Sequence, residues 1–221
     1  MQPSLMQRGK FITFEGSEGC GKSTQIKRFV KMLTDRGIET IQTREPGGTS
    51  VGERIRELLQ HDDVGSQLTD ESELLLFAAS RAQLVREVIA PALERGSWVI
   101  ADRFLDSTTV YQGVGRGLKV DAVQQINAFA VGATMPDLTF LLDLDAATGH
   151  ARAVAATGAK PDRMESQPIA FFEKVRQGYL DLATRDPNRI SVIDAADSIE
   201  GVSEQIDRVF EARFAEPDTS R

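Results

Sequence analysis

The sequence holds one cysteine, Cys20, and two histidines, His61 and His150, among 221 residues. A lone thiol has no intramolecular disulfide partner, and these three side chains fall short of a four-ligand Cys/His zinc cluster. A reducing compartment agrees with both absences. Apolar runs are short: even Leu74 to Ala79 is far below the roughly 20 residues that cross a bilayer. The opening MQPSLMQRGK contains no apolar stretch of the kind that directs secretion. Positive charge is scarce as well, with 26 Lys and Arg against 33 Asp and Glu and a formal net charge of −7. Such a chain carries no overall basic field for a polynucleotide backbone. The expectation is a cytoplasmic protein that binds neither polynucleotide nor membrane.

What the chain does have is 41% hydrophobic content and enough length to bury a core, so residues 1–221 read as a single domain. Short runs rich in β-branched or aromatic residues predict five strands, at Phe11 to Phe14, Ile38 to Thr43, Trp98 to Ala101, Leu138 to Leu142 and Ile190 to Ile193. Helical patterns begin near Lys22, Val51, Asp70, Val120, Ala146, Pro168 and Ser198, the third with Asp70 and Glu73 in capping-box spacing. Strands alternating with helices predict an α/β fold of three layers, a five-stranded parallel sheet flanked by helices. Periodicity lapses at His61 to Gln67 and at Thr157 to Gln167. The expected core is residues 10–214, with a small lid at about 155–167 and a polar tail, residues 215–221, that frays.

Directly after the first strand, GSEGCGKS (Gly16 to Ser23) fits G-x-x-x-x-G-K-[ST] and runs into a helix. The glycines, Gly16, Gly19 and Gly21, permit positive φ and close backbone approach, so N–H groups and the helix N-terminus can surround phosphate oxygens. This is the cradle of a P-loop NTPase fold, with Gly16, Ser17, Glu18, Gly19, Cys20, Gly21, Lys22, Ser23 and Thr24 as ATP-binding candidates. Lys22 is placed to reach the β- and γ-phosphates, and the Ser23 hydroxyl to bind Mg²⁺. Cys20 reads as a small filler. The loop alone does not separate GTPases, ATPases and small-molecule kinases.

The third helical segment, DESELLLFAASRAQLVREVIAPAL, puts Arg81 on an otherwise apolar stripe with Leu74, Phe77, Ala78, Val85, Val88 and Ile89. Arg81 either snorkels from a helix edge or, one turn beyond a stacking Phe77, donates to a base carbonyl. Asp102 and Arg103 fall at the carboxyl end of the third strand, where open α/β sheets bind ligands. There Asp102 can serve the metal's water shell and Arg103 can clamp phosphate, with Ser107, Thr108, Tyr111 and Gln112 crowding the turn that follows.

TREPGGT (Thr43 to Thr49), LLFAASR (Leu75 to Arg81) and DRFLDSTTVYQG (Asp102 to Gly113) resemble the signatures of bacterial thymidylate kinases. With the P-loop and a DRME segment (Asp162 to Glu165), the resemblance spans most of the chain. It implies transfer of a phosphoryl group from ATP to dTMP in dTTP biosynthesis, with Mg²⁺, in a homodimer built from helices. It also implies that Phe77 stacks on thymine, Arg81 meets its O4, Thr108 lies near N3, Ser107 and Gln112 line the base pocket, and Tyr111 crowds out a ribose 2′-hydroxyl. Glu18 is implied to contact the 3′-hydroxyl, and Arg56 and Arg103 to hold the acceptor phosphate beside Glu45 and Pro46.

Relatives with glycine in the middle of the P-loop, as at Gly19, usually carry several arginines in the lid. Here Ala151 to Glu165 offers only Arg152, Lys160 and Arg163 as cations. Arg163 is the first candidate to reach charge developing between the phosphates and Arg152 the second. Three rivals stand beside this reading: a kinase for another pyrimidine nucleotide or deoxynucleoside, a GTPase switch, and a nucleotide-binding module without turnover. The GTPase fails on context, since AKPD (Ala159 to Asp162) lacks the guanine-reading Asn and no apolar strand precedes it.

Overall fold

The computed structural model describes residues 8–61, 63–157, 164 and 166–214. Five parallel strands, β1 (Phe11–Glu15), β2 (Thr40–Arg44), β3 (Trp98–Asp102), β4 (Leu138–Asp143) and β5 (Ile190–Asp194), pair in the order β2-β3-β1-β4-β5. The five expected strands and the parallel sheet are all present. Each predicted strand stops one residue short at its carboxyl end, because Glu15, Arg44, Asp102, Asp143 and Asp194 end the apolar pattern while still lying in the strand.

Neighbouring residues of β1 point to opposite layers, as the two-residue repeat of a strand demands. Ile12 and Phe14 join the core under α1 (Lys22–Asp35) and the final helix, α9 (Ile199–Phe214). There the ring of Phe29 meets Phe14, Phe140 and Phe210 at centroid distances of 5.6, 5.5 and 5.5 Å. Phe11 faces the other layer, packing edge-on to Phe104 beside Leu84, Val85 and Ile89.

That second layer contains α2 (Ser50–Gln60), α3 (Asp70–Leu84), α4 (Ala90–Glu94), α5 (Leu105–Thr108), α6 (Val120–Val131) and α8 (Ile169–Arg185). Helix α7 (Ala146–Thr157) follows β4. Between α3 and α4 the chain makes one wide π turn, Val85–Ile89, just ahead of Pro91, whose missing N–H cannot continue the helical ladder. No helix of the described residues is long and apolar enough to cross a membrane.

Two local readings need correction. The cap of α3 is Thr69, one residue earlier than expected: its side chain accepts from the Ser72 N–H and its carbonyl from the Glu73 N–H. Glu73 is therefore released from capping and turns inward, nearly fully buried. The segment after β3, read as a turn, is helical: α5 passes into a π-helical stretch, Thr109–Gly115, closed by an Arg116 N–H to Tyr111 carbonyl bond of 2.9 Å. Gly178 of α8 admits this stretch, since a Cβ there would sit 3.0 Å from Val110 Cγ1.

Beneath the ligand-facing end, a buried polar layer joins the sheet to α5. The Thr13 and Thr139 hydroxyls bond at 2.7 Å. Arg189 donates to Thr139 Oγ1 at 3.1 Å and to both oxygens of Asp106 at 2.6 and 2.9 Å.

The cap correction is directly testable. Thr69→Ala is expected to lower unfolding free energy by about 1 kcal/mol. Asp70→Ala, which loses only a partly exposed ion pair with Arg116, is expected to change it by less than about 0.5 kcal/mol. Urea melts of both variants check the order.

Candidate active site

Strand order reverses around β1, so the loops after β1 and β3 open a crevice at the carboxyl edge of the sheet. A cavity of about 460 Å³ occupies it, and the walls come from the loops after β1, β2 and β3 together with α2, α3, α5 and α7.

At one end lies the phosphate cradle. Gly16, Gly19 and Gly21 adopt φ of 137, 69 and 90°. A Cβ on Gly16 would meet the Leu142 carbonyl oxygen at 2.5 Å, so only glycine closes this turn. Gly21 precedes α1 in a left-handed conformation, with no side-chain cap and no acidic residue in the first turn. The free N–H groups and positive end of a 14-residue helix thus face the cavity, an arrangement built for anions. Lys22 curls over the loop, its ammonium donating to the carbonyls of Gly16 and Ser17 at 3.0 and 2.9 Å. Gly16, Ser17 and Cys20 form the floor of the loop, while the other expected cradle residues, Glu18, Gly19 and Gly21 to Thr24, line the cavity.

The loop also touches α7 backbone to backbone. A Cβ on Gly19 would lie 2.0 Å from the Gly149 carbonyl oxygen, and one on Gly149 would lie 2.6 Å from that of Glu18.

At the waist stands Arg103, in a left-handed conformation with φ 68° that L-residues rarely adopt. Its N–H donates to the Phe14 carbonyl at 3.0 Å. Its guanidinium donates to the Gly16 carbonyl at 2.9 Å, to Ser107 Oγ at 3.1 Å and, in a close ion pair, to Glu18. Burial pushes the Glu18 carboxyl up, but Arg103 and then Lys22 outweigh it and hold the group below its ordinary value. Glu15, one strand end away, behaves oppositely. Burial and the nearby Asp106 raise its pKa despite bonds from the Phe104 N–H at 2.8 Å and Ser107 Oγ at 2.6 Å. Tyr179 of α8 donates to the same carboxyl at 2.9 Å and also contacts Ser107 and Arg103.

At the far end Arg81 is 1% exposed and fixed in place rather than snorkelling. Its Nε and NH2 donate to Glu45 Oε2 at 2.8 and 2.5 Å, its NH1 to Asn127 at 2.7 Å and its NH2 to Thr108 at 2.8 Å. Phe77 lies one turn before it on the same wall. The Tyr111 ring sits beneath Arg103, 5.1 Å from the guanidinium carbon. Arg56 donates to the Pro46 carbonyl at 3.1 Å, binding α2 to the loop after β2.

Glu45, Pro46, Arg56, Phe77, Arg81, Asp102, Arg103, Ser107, Thr108, Tyr111 and Gln112 all line one cavity. Arg152 lines it too, its NH1 donating to the Ala195 carbonyl at 3.1 Å. Arg163, like Asp162, Glu165 and most of the expected lid, lies outside the described residues. Sequence reasoning missed Glu15, Glu73, Arg116, Asn127 and Tyr179. Glu15 is the residue at which the apolar run of β1 stops, and Tyr179 reads as one more core position of α8, so neither stands out in the periodicity.

A thymidylate kinase family model matches residues 14–206. A thymidylate kinase of Kosmotoga olearia is 49% identical over 202 residues, covering 90% of this chain and 94% of that protein. One from Deinococcus radiodurans is 50% identical over 190 residues, covering 86% and 90%. The crystal structure of the Ehrlichia chaffeensis thymidylate kinase superposes with a TM-score of 0.74 at 35% identity, covering 92% of this chain and 99% of that one.

The chain belongs to the thymidylate kinase family.

As a member of that family it phosphorylates dTMP from ATP. No group of three or more His, Cys, Asp or Glu among the described residues is arranged to hold a metal ion alone. Ser23 at the start of α1 and Asp102, whose buried Oδ1 has no hydrogen-bond partner, suit a metal carried in on phosphates.

Burial lifts Glu45 from 4.5 to about 7 against the opposing pull of Arg81. The folded protein then keeps a proton that the unfolded chain has already released, so stability is expected to fall as pH rises from about 4.5 through about 7. Glu45→Gln is expected to flatten that part of the profile, as read by melting temperature against pH.

Proposed function

We propose that the cavity transfers the γ-phosphoryl group of ATP to the 5′-phosphate of dTMP, giving ADP and dTDP. Family membership sets the reaction. The supporting observation is the shared cavity: a phosphate cradle at one end and a buried, donor-bearing pocket with an aromatic wall at the other, joined by Arg103 and Glu18.

In this reading ATP phosphates occupy the N–H groups of the loop and the start of α1, and Lys22 exchanges its loop carbonyls for β- and γ-phosphate oxygens. Ser23 and Asp102 would hold Mg²⁺. When bound, Mg²⁺ neutralises charge on the transferring phosphoryl group. Arg56 and Arg103 clamp the acceptor phosphate near Glu45 and Pro46, and Glu18, kept ionised by Arg103, accepts from the deoxyribose 3′-hydroxyl. Phe77 stacks on the base, Arg81 donates to O4, Ser107, Thr108 and Gln112 line the pocket, and Tyr111 leaves no room for a 2′-hydroxyl.

No covalent intermediate and no strong general base are required, because a phosphate monoester acceptor, with a second pKa of about 6, is already ionised near neutral pH. Positioning and electrostatics carry the acceleration. Arg163 and Arg152 are the lid-side candidates for the cation that meets charge between the phosphates. A cytoplasmic location belongs to the same reading.

The homodimer is supported by an apolar surface. Phe129 of α6 is 83% exposed and Leu75 of α3 is 56% exposed, and α3 packs directly on α2 and α6. Such side chains are costly to leave in water and suited to a second copy.

A coupled assay of ADP release with ATP, Mg²⁺ and dTMP, dUMP, dCMP or dAMP tests the reaction. The expected result is a preference for dTMP and loss of turnover with EDTA. A purine preference overturns the acceptor, and dCMP preference favours the rival pyrimidine kinase. Lys22→Ala is expected to lower kcat by at least about a hundredfold. Phe129→Glu is expected to yield monomers in sedimentation velocity.

A further inference from the structure

Glu73 has no part in the proposed chemistry, yet it is a carboxylate with 1% exposure on the same stripe of α3 as Phe77 and Arg81. Thr69 has taken over the cap, so the Glu73 side chain is available elsewhere. Its Oε1 accepts from Gln112 Nε2 at 2.8 Å and from Arg116 Nε at 3.3 Å, and its Oε2 accepts from Arg116 NH2 at 3.3 Å. A guanidinium has donors only, so both Glu73 oxygens are held as acceptors.

A primary amide can turn either end toward a partner, and the two orientations have the same shape. Facing an acceptor, Gln112 must present its nitrogen to Glu73 and keep its carbonyl oxygen for the cavity it lines. On the same cavity, Arg81 offers the opposite character. Its bonds to Glu45, Asn127, Thr108 and the Phe104 carbonyl leave one NH1 hydrogen without an acceptor among the described residues. The pocket therefore pairs a donor with an acceptor.

We infer that Glu73, braced by Arg116, is a positioning residue that sets acceptor specificity by locking the Gln112 amide with its oxygen toward the base. This rests on the proposed function. The locked pattern fits a pyrimidine with a carbonyl at C4 and a hydrogen on N3. A 4-amino pyrimidine presents the reverse at both positions and leaves buried groups unpaired, which is how a polar pocket rejects a near-isostere.

The test is kcat/KM for dTMP and for 5-methyl-dCMP, which keeps the methyl group and changes only the C4 and N3 pattern. Glu73→Gln is nearly isosteric but can donate or accept, so it frees the amide to turn. The dTMP to 5-methyl-dCMP ratio is expected to fall by about tenfold or more. Arg116→Gln, which loosens the same lock from its other side, is expected to shift the ratio in the same direction should Glu73→Gln fold poorly. In a Gln112→Leu background, Glu73→Gln is expected to have no further effect on the ratio. A ratio unchanged in both single variants, with the two kcat/KM values falling together, overturns the inference in favour of a purely structural Glu73. Absence of dTMP turnover in the unaltered protein overturns the proposed function first.

Discussion

The guanidinium of Arg103 is where the separate parts of the site are tied together. It reaches the loop through the Gly16 carbonyl and Glu18, α5 through Ser107, and α8 through Tyr179, while its own N–H extends the ladder from Phe14. A buried cation without partners is costly, so each contact is also a condition for the fold. The left-handed backbone at this residue is the local cost of turning the chain where the strand ends. Glu18 supplies the firm negative charge, because its neighbouring cations depress its pKa. Burial raises that of Glu15, which serves instead as a knot of hydrogen bonds from Ser107, Tyr179 and the Phe104 N–H.

The two layers flanking the sheet do different work. The layer under α1 and α9 is a cluster of aromatic and aliphatic side chains and gives a rigid back. The other contains Thr13, Thr139, Arg189 and Asp106 as well as the Arg81 pair with Glu45, so the ligand-facing layer is held by directional bonds. Directional bonds fix side-chain angles more tightly than apolar contact does, which is what a site that relies on positioning needs.

All five strands and the parallel sheet were legible in the sequence, because a run such as Phe11 to Phe14 between a polar arm and a glycine loop admits one reading. The cradle was legible because its glycines are required by backbone geometry, not by packing. The helical nature of residues 105–115 was not, since Ser, Thr and Gly in that stretch signal a turn and its helix depends on contact with α8. Glu73 was misread because a carboxylate near a helix start has two uses, capping or burial, and only the distant Gln112 and Arg116 decide between them. Arg81 was legible as an anomaly, but its partners come from three other places along the chain, the loop after β2, α5 with its cap, and α6.

The contact between Gly19 and Gly149 is a joint without clearance. Two main chains meet with no side chain between them to bend, so α7 cannot tilt without carrying the phosphate loop or breaking contact with it. Such a bearing transmits small displacements undiminished, in the way a metal pivot does and a rubber one does not. The same joint leaves the loop no room for a side chain at Gly19, because the space a larger residue would need is already filled by the backbone of α7.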